Sequence, residues 1–282
     1  MEKFKNIVNK IHNEIGDYTQ VKFGPDTYFQ CTLRASFSKL IEFNNFLYEK
    51  KEDDFGFFLT PVLRGICEDI IAHKFIKTEL LDVANEITWL LAQLNILENI
   101  RSQDNFFKSK RNFQPVIRKS DYSQIQDLKN EIKNLLNSNG INGNKMPPIA
   151  QQADKVGLKE TYEFLYRASS NFVHYNPHIL LRFGWNTDKS DLFDYSVKNF
   201  DNYYFYFTNQ YALYLMCLFC NEFKDDLSLS ADLMSNIEQV ESELNEMLTW
   251  YELVTFEELN QKRPPEWLVL GSKIISENEN ES

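Results

Sequence analysis

A chain of 282 residues that is 43% hydrophobic can bury a substantial core, and only 9 Gly and 8 Pro leave few turns for an all-β fold. The net charge of −11 is carried by the last 62 residues, where 15 acidic side chains face 4 basic ones, so the preceding body is neutral. A uniformly acidic surface would repel nucleic acid; a neutral body with local basic patches is compatible with binding it.

In chain order, Phe4, Ile7, Val8, Ile11 and Ile15 make a helical stripe closed by Gly16, with no apolar core and cleavage site to suggest export, so a cytoplasmic protein is expected. Residues 31–48 read as a second helix carrying the polar pair Asn44 and Asn45. After a charged run, Thr60 and Pro61 suit the N-cap and first residue of a third helix, whose apolar positions spread round the cylinder. Arg64 and Glu68 interrupt that helix four residues apart, which fits either an intrahelical ion pair or a charged pair with further partners in a site. His73 reads as a surface residue.

The most regular amphipathic pattern runs from Leu80 to Leu97. It is followed by a basic stretch at 101–119, in which Arg101, Lys108, Lys110, Arg111, Arg118 and Lys119 face only Asp104; it reads as a solvated loop or as a phosphate-binding segment. Ser120 can cap a helix at 125–136 that Asn139-Gly140 stops. Pro147 and Pro148 then start a short helix and Gly157 ends it.

The next helix, from Leu158 to about His174, holds the most unusual polar set. Glu163, Arg167, Ser170, Asn171 and His174 share one face about 100° wide. Arg167 and His174, seven apart, lie two turns or roughly 10 Å from each other along it. A cation and an imidazole so placed can act together on one phosphodiester: moving the proton of the RNA 2′-hydroxyl needs a group near neutral pKa, and the charge building on phosphorus needs a cation. Ser170 or Asn171 could orient the phosphate or the imidazole, and Glu68 could fix an arginine. The same residues also fit a structural account, with His174 capping carbonyls and Arg167 bound to Glu68.

Beyond Pro177, two short apolar pieces around Trp185 suggest a small β-hairpin. The aromatic stripe from Phe200 to Phe219 reads as a core helix, with Thr208, Asn209 and Gln210 interrupting it short of a membrane span. Cys217 and Cys220 resemble half a zinc site, but no second pair completes it, and buried free thiols are expected. A last acidic helix spans 233–251, and the segment from Arg263 ends in a disordered tail. The expected organisation is all-α: one helical-bundle domain over 1–250 and an acidic, partly disordered segment over 251–282, with no cofactor and no metal.

The run from Arg167 to His174 resembles the Arg, four to six residues, His motif of the HEPN superfamily. Paired with Arg64-x-x-x-Glu68 on an earlier helix, it also resembles an uncharacterised bacterial helical family with HEPN-like features. The resemblance implies a HEPN-like bundle and a homodimer that brings two Arg/His motifs together. In active members it implies metal-independent RNA cleavage, with RNA as partner and a toxin-antitoxin or phage-defence setting. Ala168 stands where active members often carry a polar residue. A non-catalytic interaction or sensor module on the same fold is the alternative.

Overall fold

Helical periodicity becomes eleven α-helices among the described residues of the computed structural model, which are 2–49, 56–117, 119, 121–185, 192–259 and 261–280. They are α1 (Glu2–Thr19), α2 (Tyr28–Glu49), α3 (Gly56–Glu79), α4 (Ala84–Lys110), α5 (Gln124–Ser138), α6 (Ile149–Lys155), α7 (Lys159–Val173), α8 (Pro177–Arg182), α9 (Asp201–Leu227), α10 (Ala231–Glu246) and α11 (Glu266–Asn280). The expected hairpin is present as β1 (Gly184–Trp185) paired antiparallel with β2 (Asp194–Tyr195). Among the described residues the fold is all-α apart from this ribbon. None of the described helices is long and apolar enough to cross a membrane.

Several boundaries differ from the periodicity reading, each for a local reason. Gly16 does not end α1, which continues to Thr19. Helix α3 begins at Gly56, so Thr60 is not its cap: the Thr60 hydroxyl donates back to the Gly56 carbonyl at 3.2 Å and pairs with Thr208 Oγ1 at 2.8 Å. Pro61 is tolerated near the helix start because the one bond it forfeits would have reached the carbonyl of Phe57. Helix α4 runs on to Lys110, so half of the basic stretch is helical rather than loop. Helix α5 is entered from Ser123, whose N–H and hydroxyl both donate to the Asp121 carboxylate; Ser120 lies outside the described residues. Helix α10 stops at Glu246, short of the expected 251, and α11 occupies much of the segment beyond Arg263.

The described residues form two compact units. The first comprises Met1–Tyr18, Phe37–Cys67 and Thr161–Ser282. Its core is built on α9, where Tyr204, Phe207, Phe219 and Phe223 are buried. Phe37 of α2 stacks on Phe219, and Cys217 packs on α10 with its thiol 3.8 Å from the Ile237 carbonyl. At one end Phe57, Phe172 and Phe183 surround Tyr204. Asn44, buried in this core, donates its Nδ2 to the carbonyls of Leu40 and Ala212.

The second unit comprises Thr19–Ser36 and Glu68–Glu160. Helices α4 and α5 bury Ile87, Leu90, Leu97, Ile125, Ile132 and Leu136. His73 belongs here and is not a surface residue: it is only 8% exposed, with Nδ1 2.7 Å from the Asp69 carbonyl and Nε2 3.3 Å from Thr32 Oγ1. A ring with three carbons and two nitrogens fits a core position once both nitrogens find partners.

Candidate functional site

Gly157 adopts φ 72°, and the Leu158 N–H returns to the Ala153 carbonyl at 2.8 Å, a left-handed cap that ends α6; α7 follows from Lys159. Leu165, Ala168 and Ser169 form the buried face. Phe164 meets Phe207 and Tyr211 of α9, Thr161 bonds the Tyr214 hydroxyl at 3.0 Å, and Ser169 Oγ donates to the Thr60 carbonyl of α3 at 3.5 Å. With that face fixed, the opposite side of α7 carries the exposed Glu163, Arg167 and His174.

Arg167 and His174 are indeed exposed, and neither takes part in an ion pair among the described residues. Arg64 of α3 reaches the same helix: its guanidinium lies 4.5 Å from the ring centroid of Tyr166, the residue before Arg167. Glu68 follows one turn later on α3, within the second unit. Glu163 is exposed like Arg167 and His174, whereas the remaining two members of the stripe are enclosed or already engaged. Ser170 Oγ is enclosed without a hydrogen-bond partner, and Asn171 Oδ1 accepts from Asn176 Nδ2 at 2.7 Å. Asn176 Oδ1 in turn accepts from the His178 N–H and caps α8, so an Asn pair clips the turn that carries His174.

Of the basic residues, Lys110 and Arg111 are exposed, and the Arg111 guanidinium sits over the Phe113 ring at 5.9 Å. Lys108 is committed to the carboxylate of Asp104, which is only 1% exposed, at 2.7 Å. Lys119 Nζ donates to Gln124 Oε1 at 3.0 Å, and Arg118 lies outside the described residues. Among the described residues no group of three or more His, Cys, Asp or Glu could hold a metal ion. Burial pushes the Cys217 thiol up to about 12 and raises Cys220 further, so both stay protonated.

Residues 59–191 match a family described only as one of unknown function, DUF5677. No curated protein and no solved structure matches the chain. The DUF5677 match contains Arg64, Glu68, the whole Arg167–His174 stripe and the basic stretch.

One polar constellation was not anticipated, and half of it lies outside that match. Arg182, at the end of α8, has a side chain only 6% exposed; its Nε stands 3.0 Å from Glu258 Oε1, and its guanidinium lies over Tyr203, Tyr204 and Phe200. Glu258 and Thr255 form a reciprocal capping box, each backbone N–H bonded to the other's side chain. His178 Nε2 is 3.5 Å from the same carboxylate oxygen. Burial pushes the Tyr204 phenol up to about 12, against the lowering effect of Arg182. The signal was present: Arg182 is a lone charge in the apolar run ILLRF, the same kind of interruption that marks Arg64.

Proposed function

We propose that the chain is a metal-independent endoribonuclease of HEPN type, with His174 moving protons and Arg167 stabilising the phosphorane-like charge. The observation that supports this reading is the open placement of Arg167 and His174 on one face of α7, with no ion pair to either among the described residues. A saturated structural pair would be buried and bonded. Arg64, over the ring of Tyr166, brings a further guanidinium to this helix, and the Asn171–Asn176 clip holds the turn that presents the imidazole. Lys110, Arg111 and Lys119, in the second unit, suit phosphate contacts of their own.

One motif offers few groups for phosphoryl transfer, so the reading takes the protein to be a homodimer in which two motifs meet. An antitoxin or defence-system partner belongs to the same reading. Exposed Val173, Tyr175, Leu180 and Leu181 around the end of α7 and on α8 provide apolar surface for such contacts. That same surface favours the second reading, a non-catalytic helical module that docks a protein partner.

Incubation of total RNA with the protein decides between them. Cleavage should persist in EDTA, leave 2′,3′-cyclic phosphate ends, and fall by roughly 10²–10⁴-fold in His174→Ala with an unchanged circular dichroism spectrum. Cleavage that survives His174→Ala, or that requires a divalent ion, discards the mechanism and leaves the docking module. A monomer by light scattering at micromolar concentration would remove the composite dimeric site.

A further inference from the structure

In the second unit, a cleft of about 540 Å3 lies along α4 and α5, walled by Trp89, Leu97 and Leu128. Trp89 is half-buried, and one face of its indole is already stacked on Tyr28, with ring centroids 4.6 Å apart and planes 13° from parallel. An indole locked from behind in this way offers its remaining surface as a rigid platform for a second planar group. Polar groups of three kinds share the lining. Gln93 carries an amide donor and acceptor, Lys119 a cation, and Asp127 and Glu131 are exposed carboxylates one helical turn apart on α5.

An apolar ligand would waste these groups, and a simple anion would meet two carboxylates. A nucleotide base suits all of them at once. Its π-face can stack on Trp89, its amino edge can donate to Asp127 or Glu131, and its phosphate can meet Lys119. We infer that this cleft binds an unpaired, amino-bearing nucleobase, guanine best of all, because guanine presents adjacent N1–H and N2–H donors to a carboxylate. Uracil turns carbonyl oxygens toward the carboxylates and is disfavoured. Lys119 is continuous in sequence with a stretch whose Phe106, Phe113 and Ile117 are also exposed, interleaved with Lys110 and Arg111, which is the surface chemistry of single-strand binding.

This inference rests on the RNA reading for its biological setting, yet its test is separate from cleavage. Calorimetric titration with the four nucleoside 5′-monophosphates, and anisotropy titration with labelled hexaribonucleotides of G and of U, distinguish a free nucleotide from a strand as the source. The wild type should bind GMP and the G oligomer about tenfold or more tighter than their uracil counterparts. Trp89→Leu should lose about tenfold for every probe, with Trp89→Phe restoring most of it and establishing that the fold survives. Asp127→Asn combined with Glu131→Gln should erase the guanine preference, whereas Lys119→Ala should weaken all phosphate-bearing probes alike. Equal binding of GMP and UMP, or no effect of Trp89→Leu on a folded protein, overturns the assignment. If His174→Ala fails to affect cleavage while GMP still binds, the nuclease mechanism falls and the pocket stands; normal His174-dependent cleavage without guanine preference gives the reverse.

Discussion

Arg182 and His174 show how differently two basic side chains can be employed a few residues apart. Arg182 is desolvated among Phe200, Tyr203 and Tyr204, where the Glu258 carboxylate balances its charge. Removing one member of a buried pair leaves the other uncompensated, at a cost of about 3–5 kcal/mol. Arg182→Ala should therefore lower the urea midpoint sharply, and Arg182→Met with Glu258→Gln should recover much of the loss because no charge is then stranded. His174 is exposed, and its replacement by Ala should shift stability by no more than about 0.5 kcal/mol. A comparable loss of stability in the two single variants would mean that His174 is structural.

Among helices, the close approach of α3 and α9 sets where the α7 stripe can go. A Cβ built on Gly56 would fall 2.3 Å from the Asp201 carbonyl and 2.5 Å from the Phe205 nitrogen, both backbone atoms of α9 that cannot swing aside. Gly56→Ala must push α3 from α9, disturbing the Thr60–Thr208 bond and with it the Thr60 carbonyl on which Ser169 of α7 rests. The expected result is a loss of about 1–3 kcal/mol in a urea melt, against a gain from helix propensity were the site open. Periodicity made α1, α5, α7 and the first part of α4 legible because one apolar face repeats along each, while α9 was legible as a long aromatic run that is buried almost all round. The ends were less legible, since Gly56 looks like a breaker until α9 is seen to need its missing side chain, and the polar residues after Leu97 continue α4 without an apolar stripe to announce it. The Arg167/His174 face was readable from spacing alone. Its neighbours were not, because the enclosure of Ser170 Oγ and the pairing of Asn171 with Asn176 depend on turns that no periodicity describes.

For the molecule as a whole, the distribution of buried ionisable groups sets a limit on alkaline stability. Burial raises the phenols of Tyr48, Tyr204 and Tyr211 and the thiols of Cys217 and Cys220, and all five belong to the first unit. In the unfolded chain such thiols ionise near pH 8.5 and phenols near pH 10, roughly. Between those values and the raised folded ones, the native state holds protons that the unfolded state has released, so stability falls as pH rises. Their contribution is intact below about pH 8 and is lost progressively from about pH 9 upward, beyond the about 12 reached by Tyr204 and Cys217. Urea melts at pH 7.5 and pH 10.5 should show the midpoint of the first unit dropping, and two compact units allow the transition to be biphasic. Cys217→Ala with Cys220→Ala removes two of the five groups and should flatten the slope with pH, even where the packing change lowers stability at neutral pH. A slope identical to wild type would show that these thiols do not carry the alkaline loss. In the native protein at pH 8 both thiols should also resist iodoacetamide, since the reactive thiolate is scarce and the site is closed, and should react once urea opens the core.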